Sequence, residues 1–315
     1  MFDITSIGEV LIDFSSIDAP EGKLGMMGST GGAPCNVLAQ AGKLGATTSF
    51  IGAIGQDMFG SFIKRELKKY GIDMTALAET GEATTTLAIV FFDEEGDRSF
   101  DFVRAPGADS MLTMNDKVRE VLGQTKLLQY GSLSMSKEPA RSAVFEILEY
   151  FKGPKAYDPN LRPAIWKDDE AMRRYAREGM KYADILKLGD DEAMFIMEQP
   201  DEESAVRSIQ EEFHIPLIFV TKGKHGCRFY YKGESGFRPA YPVKTVDTTG
   251  AGDAFFGALL YCLINGSPMD QLTMEQIGDY VAFANAAGGL SATRKGTMEA
   301  MPYREEMERL LAEGV

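Results

Sequence analysis

The sequence predicts an α/β fold: a largely parallel central sheet flanked by helices, with a small separate β-sheet as a lid. Three observations carry this. Apolar periodicity switches repeatedly between strand-like and helix-like runs, one hairpin-like pair breaks that rhythm, and a Gly-rich turn opens a helix that is apolar nearly all round. The 315 residues are 44% hydrophobic and 25% charged, ordinary for a globular chain. No linker, repeat or charge block marks a boundary, so one domain over residues 1–315 is expected.

Residues 4–11 read as the first strand, 33–44 as a helix with Val37, Ala41 and Leu44 on one face, and 48–54 as the next strand. Pro34 suits the first helical turn, where its missing N–H would have no partner in any case. The helix over 58–70 places Phe59, Phe62, Ile63 and Leu67 at i, i+3, i+4 and i+8, with Lys64, Arg65, Lys68 and Lys69 facing away, and Gly71 stops it. Residues 84–92 and 99–104 are rich in β-branched and aromatic side chains, and the link Asp93-Glu94-Glu95-Gly96-Asp97 suits a hairpin. A hairpin with no helix beside it must cover something, so lid strands are expected from about 10–28 and 84–105. The rhythm then resumes with a strand at 127–131, a helix at 139–151 carrying Val144, Ile147, Leu148 and Phe151 on its face, and a strand end at 156–158. Strands at 185–188, 217–221 and 227–231 follow, then the buried helix at 254–264.

Charge and composition narrow the function. Lys and Arg number 33 and Asp and Glu 47, a net charge of −14 that repels nucleic-acid backbones and anionic lipid, so neither is an expected partner. Cys35, Cys227 and Cys262 are odd in number and far apart, which offers no disulfide framework or zinc site and fits a reducing cytoplasm. His214 and His225 alone leave little material for a Ser-His-Asp triad or an H-E-x-x-H site. The N-terminus lacks the cationic region of an export signal, and the run 254–264 is too short to cross a bilayer.

The segment from Val246 to Ala258 carries the most chemistry. Gly250 and Gly252 free backbone N–H groups at the start of a buried helix, a concavity suited to phosphoryl oxygens. Asp253 stands among those amides. A lone carboxylate there is commonly a helix cap, but beside an anion site it suits the base that accepts the proton of an attacking hydroxyl. The spacing is neither G-x-x-x-x-G-K-[ST] nor G-x-G-x-x-G. A nicotinamide oxidoreductase would need a Gly-rich turn after the first strand, where Glu9, Val10 and Ile12 stand. Gly31-Gly32-Ala33-Pro34-Cys35-Asn36 reads as a helix-entry turn that lets a polar ligand lie against backbone. Trp166 reads as packing and His225 as a surface residue.

Asp247-Thr248-Thr249-Gly250-Ala251-Gly252-Asp253 closely resembles the C-terminal signature of the ribokinase-like (PfkB-type) carbohydrate kinases. The resemblance runs from about residue 3 to 303 and implies a three-layer sandwich with a β-sheet lid. It implies Asp253 as the base, with the Gly250, Ala251 and Gly252 amides as the anion hole. It likewise implies Gly31, Gly32 and Asn36 as holders of sugar hydroxyls, joined by Asp13 at two of them. Residues 102–109, together with Tyr157-Asp158-Pro159-Asn160-Leu161-Arg162-Pro163 and Ala164-Ile165-Trp166, are similar to the fructokinase branch, which implies sugar contacts for Arg104 and Arg162.

The turn from Thr221 to Gly226 resembles the family's T-x-G-x-x-G at the ATP pocket, which assigns Thr221, Gly223 and Gly226 to the nucleotide. Asn285 matches a position lining adenine. The N-x-x-E motif stands here as Gly189-Asp190-Asp191-Glu192, leaving Glu192 to help hold Mg²⁺ through water and Lys187 to approach a phosphate. Asp247, Thr249, Ser291, Arg294 and Gly296 match the monovalent-cation loop, with Ala300 where relatives often carry a hydroxyl, so K⁺ activation is an expectation to test. The reaction implied is transfer from Mg·ATP to a hexose hydroxyl, foremost the 6-hydroxyl of D-fructose. 2-Keto-3-deoxygluconate, an aminoimidazole riboside, or a non-catalytic sugar-binding regulator are the alternatives, and a homodimer through the lids is implied.

Overall fold

The structure, a computed structural model, describes residues 1–17, 19–92 and 98–314. The expected hairpin link at 93–97 lies outside the described residues. From the N-terminus, β1 (Phe2–Ile7), β2 (Leu11–Ile17) and β3 (Gly25–Gly31) lead into α1 (Ala33–Lys43). Then come β4 (Thr48–Gly55), α2 (Met58–Lys69), β5 (Leu77–Thr80), β6 (Leu87–Phe92) and β7 (Arg98–Val103). The middle comprises α3 (Asp116–Leu122), β8 (Thr125–Gly131), α4 (Ala140–Tyr150), β9 (Lys155–Asp158), α5 (Pro163–Trp166) and α6 (Asp169–Met180). After β10 (Ile185–Gly189) follow α7 (Asp190–Met197), α8 (Glu202–Phe213), β11 (Leu217–Thr221), β12 (Gly226–Tyr231) and β13 (Glu234–Pro239). Three helices close the chain: α9 (Ala251–Asn265), α10 (Met274–Ser291) and α11 (Arg304–Glu313).

Nine strands form the main sheet in the order β13-β12-β11-β10-β9-β8-β1-β4-β5, parallel from β11 to β5 and antiparallel at β12 and β13. Successive residues of the central strands point to opposite faces and enter two separate apolar clusters: Ile4 and Ile7, Phe50 and Ile51, Leu127 and Leu128, and Ile185 and Leu186 divide between them. One cluster is completed by α1, α2, α9 and α10, the other by α3, α4, α6, α7 and α8. The result is a helix-sheet-helix sandwich. No helix among the described residues is long and apolar enough to cross a membrane.

A second sheet has the order β3-β2-β6-β7. The strand read over 4–11 is therefore two: β1 ends at Ile7 in the main sheet, and the chain enters the second sheet at Leu11. The break was hidden because residues 4–12 are buried throughout, so the apolar run continues across the crossing. Gly8 makes the crossing against α1, where a Cβ would stand 2.6 Å from Pro34 Cγ. Trp166 is buried and stacks on Tyr175, with ring centroids 5.9 Å apart.

Candidate active site

A cavity of about 440 Å³ opens between the two sheets, at the carboxyl ends of β9 and β10, where open α/β sheets bind ligands. Its roof comes from the second sheet through Leu11, Asp13, Ala88 and Phe102, and its floor from Gly32, Asn36, Lys187 and the turn from Thr248 to Asp253.

The turn into α9 is built by Gly250, whose φ of 76° lies in the left-handed region that glycine enters without strain. The Ala251 N–H closes that turn onto the Thr248 carbonyl at 3.2 Å, so of the three amides assigned to the anion hole its donor is already engaged. Gly252 is the second residue of α9, in the first turn, where N–H groups have no intrahelical acceptor. Asp253 follows, buried on the cavity wall, and its Oδ2 accepts a 2.8 Å hydrogen bond from Asn36 Nδ2. Burial raises the Asp253 pKa, while the Asn36 bond and the cations Lys187 and Arg162 oppose the rise. Asn36 Oδ1 is buried and has no hydrogen-bond partner among the described residues.

The opposite wall is acidic as well. Asp13, on β2, is pushed up to about 7 by burial, with Arg162 opposing and Asp253 and Asp247 adding to the rise. Its carboxylate packs over the backbone of Gly31, where a Cβ would fall 1.8 Å from Asp13 Oδ2. Gly32, at φ 112°, is likewise confined to glycine because a Cβ would stand 2.6 Å from the Glu9 carbonyl. Arg162 is exposed at the cavity mouth and bonds the Asn160 and Leu161 carbonyls.

Glu9 also lines the cavity, and sequence reasoning gave it no role. It is 5% exposed, accepts from the Ala33 N–H at 3.2 Å, and is driven to about 7 by burial and by Asp109, against Arg162 and Arg104. Its signal was available: a lone acid inside an otherwise buried run. Asp158 was likewise passed over. It is buried at the end of β9 and holds the Lys187 ammonium at 2.8 Å.

Other assigned residues lie elsewhere. Arg104 is not on the cavity wall: it is 6% exposed, its guanidinium forks onto Asp109, and Nη1 donates to Ser136 Oγ. An arginine at a strand end is satisfied here by an acid five residues on, which neither periodicity nor motif reveals. Asn285 donates to the Arg238 and Pro239 carbonyls, holding α10 to β13. Thr221 bonds the Leu188 carbonyl, and Gly223 and Gly226 shape the β11–β12 connection outside this cavity. Glu192 is engaged by two backbone donors, Leu161 N–H at 2.6 Å and Gly189 N–H at 2.8 Å, so it clamps the β9–α5 loop to the start of α7.

In the cation loop, Asp247 Oδ1 accepts from Thr249 N–H and Oγ1, and the Val246 and Asp247 N–H groups reach the Ala292 carbonyl. This brings 246–249 against 291–296. Ser291 Oγ donates to the Gly288 carbonyl, Gly296 takes φ 101°, Arg294 turns away to pair with Glu306, and Ala300 is buried. Among the described residues no three His, Cys, Asp or Glu side chains group into a metal cage.

A helix N-terminus beside a buried carboxylate, set in an acid-lined cavity between the two sheets, is an arrangement suited to phosphoryl transfer onto a hydroxyl group. The chain belongs to the pfkB family of carbohydrate kinases, whose family model matches residues 1–304. It is 36% identical to probable fructokinase-5 of Arabidopsis thaliana, over 98% of this chain and 97% of that protein. The structure of a fructokinase with bound ATP from Xylella fastidiosa superposes with a TM-score of 0.90 at 28% identity, covering 99% of this chain and 98% of the other. A double-mutant fructokinase from Vibrio cholerae, bound to fructose, ADP and potassium ion, gives 0.86 at 28% identity, with 98% of each chain covered.

Proposed function

We propose that the chain transfers the γ-phosphoryl group of Mg·ATP to the 6-hydroxyl of D-fructose. The observation that carries this is Asp253: a buried carboxylate with a raised pKa, hydrogen-bonded to Asn36 and seated in the first turn of α9. In this reading Asp13, Gly31, Gly32, Asn36 and Arg162 seat the sugar. Asp253 accepts the proton of the attacking hydroxyl, and the first-turn amides of α9 with the Lys187 ammonium meet the charge on the transferring group. Mg²⁺ on the nucleotide supplies charge neutralisation at the phosphates. The lid excludes water from the transfer. Fructose and ADP bound to the Vibrio relative, and ATP bound to the Xylella one, support the choice of substrates.

K⁺ occupying the 246–249 and 291–296 loops is part of the proposal, supported by the potassium ion in the Vibrio structure. A homodimer paired through the lids is also proposed. The second sheet and its loop expose Ile17 (49%), Leu24 (70%), Met27 (55%) and Val103 (48%), an apolar set that a second copy would cover. The free thiols of Cys35, Cys227 and Cys262 fit a cytoplasmic setting. The test is ADP release with Mg·ATP across D-fructose, D-ribose, 2-keto-3-deoxygluconate, aminoimidazole riboside, mannose and glucose. Fructose turning over far above the rest supports the proposal. Another acceptor leading would overturn the choice of sugar, and sugar binding without turnover would favour a regulator.

A further inference from the structure

Asp158 ends β9, and Lys187 stands within the adjacent parallel strand β10. The register pairs Ile185 with Ala156 and Leu186 with Tyr157, so the next step along β10 and β9 sets these two side by side. Lys187 Nζ donates to Asp158 Oδ2 at 2.8 Å, with side-chain exposures of 8% and 2%. Asp158 Oδ1 is buried and has no hydrogen-bond partner among the described residues. Lys187 borders the cavity and Asp158 does not. The ammonium also stands against the first turn of α9, since a Cβ at Gly252 would lie 3.2 Å from Lys187 Nζ.

A lysine is a point charge on a flexible four-carbon stem, and burying it alone favours either deprotonation or a swing to solvent. Burial does work against the Lys187 ammonium, but Asp158 first, then Glu192 and Asp253, outweigh it and hold the group protonated. An ammonium has three N–H donors, so holding one on Asp158 leaves two for phosphoryl oxygens.

We propose that Asp158 is a positioning residue for phosphoryl transfer, fixing the Lys187 ammonium beside the N-terminus of α9, where charge develops on the transferring group. The proposal deepens the phosphotransfer reading and rests on it. Asp158 lies behind the cavity wall, and its effect on the reaction passes through Lys187. A partner that acts through another residue is worth nothing once that residue is gone, which a double-mutant cycle reads directly.

The cycle comprises Asp158→Asn, Lys187→Met and the double variant, with Asp158→Glu as the conservative control. Each is characterised by kcat, by KM for fructose and for Mg·ATP, and by melting temperature. Asp158→Asn should lower kcat about 10- to 100-fold, approaching the roughly 10²- to 10³-fold cost of losing an electrostatic donor outright. KM for fructose should stay within about twofold, and Asp158→Glu should recover part of kcat. In the Lys187→Met background the same Asp158→Asn change should cost less than about threefold. The double variant carries no buried charge at either position, so its folding does not depend on the pair. Multiplicative losses, or a wild-type kcat in a well-folded Asp158→Asn protein, would overturn the proposal. The cycle repeated on the Kd of a Mg-bound non-hydrolysable ATP analogue keeps the two readings apart. Wild-type protein that turns over no sugar overturns phosphotransfer, while independent effects on analogue binding overturn the Asp158 role alone.

Discussion

Replacing Asn36 with leucine removes the hydrogen bond that favours the ionised form of Asp253 while keeping a branched side chain of the same number of heavy atoms on α1. Asn36 Nδ2 lies 2.8 Å from Asp253 Oδ2, both residues are buried, and Asn36 Oδ1 has no partner to lose. A hydrogen bond to a charged group contributes about 1.5–3 kcal/mol, and one pKa unit corresponds to about 1.36 kcal/mol, so the Asp253 pKa should rise by roughly 1–2 units. The sign follows from the chemistry. The bond favours the carboxylate and opposes the effect of burial, so its loss raises the pKa further. A base must be ionised to act, and activity disappears as pH falls through that pKa. The acid limb of kcat against pH should therefore move up by about 1–2 units, with a smaller loss on the alkaline plateau. Reading kcat at saturating fructose, by coupled ADP release, separates this from weakened sugar binding. An acid limb that stays in place, or moves down, refutes the assignment of Asp253 as the base whose state Asn36 controls.

Three further outcomes follow from the same geometry. Asp253→Ala should cut kcat by about 10²- to 10⁴-fold, the range for losing a positioned proton acceptor, while calorimetry finds fructose Kd within about threefold. Gly31→Ala places a methyl 1.8 Å from the present position of Asp13 Oδ2, so the carboxylate must leave its seat. KM for fructose should rise about tenfold or more, the equivalent of about 1.4 kcal/mol, and an unchanged KM would remove Asp13 from sugar binding. Exchange of Na⁺ for K⁺ at constant ionic strength should raise kcat, and an unchanged rate would count against an ion between the loops at 246–249 and 291–296.

The sequence was most informative where a glycine and a functional group share a motif. Gly250, held at a positive φ, turns the chain into the helix that carries Asp253, and Gly31 and Gly32 admit no Cβ because the Asp13 carboxylate and the Glu9 carbonyl approach their backbones just before Asn36. Periodicity located most of the sheet for a similar reason: strands buried on both faces form apolar runs bounded by glycine. It failed at residues 4–11, where one buried run crosses from one sheet to the other. Glu9 escaped notice inside that run. Asp158 and Arg104 show the deeper limit. Each is defined by a partner, Lys187 on the next strand and Asp109 beyond a turn, and which charge finds which is decided by tertiary packing.

Asp253-dependent phosphorylation of the fructose 6-hydroxyl is read most directly from the product of one reaction. The purified chain is incubated with Mg·ATP and D-fructose, and the phosphorylated sugar is identified by phosphorus NMR beside an identical reaction with Asp253→Asn. Fructose 6-phosphate is expected from the wild-type chain and at most a trace from the variant. A different phosphorylated position, or equal product from both proteins, would contradict it.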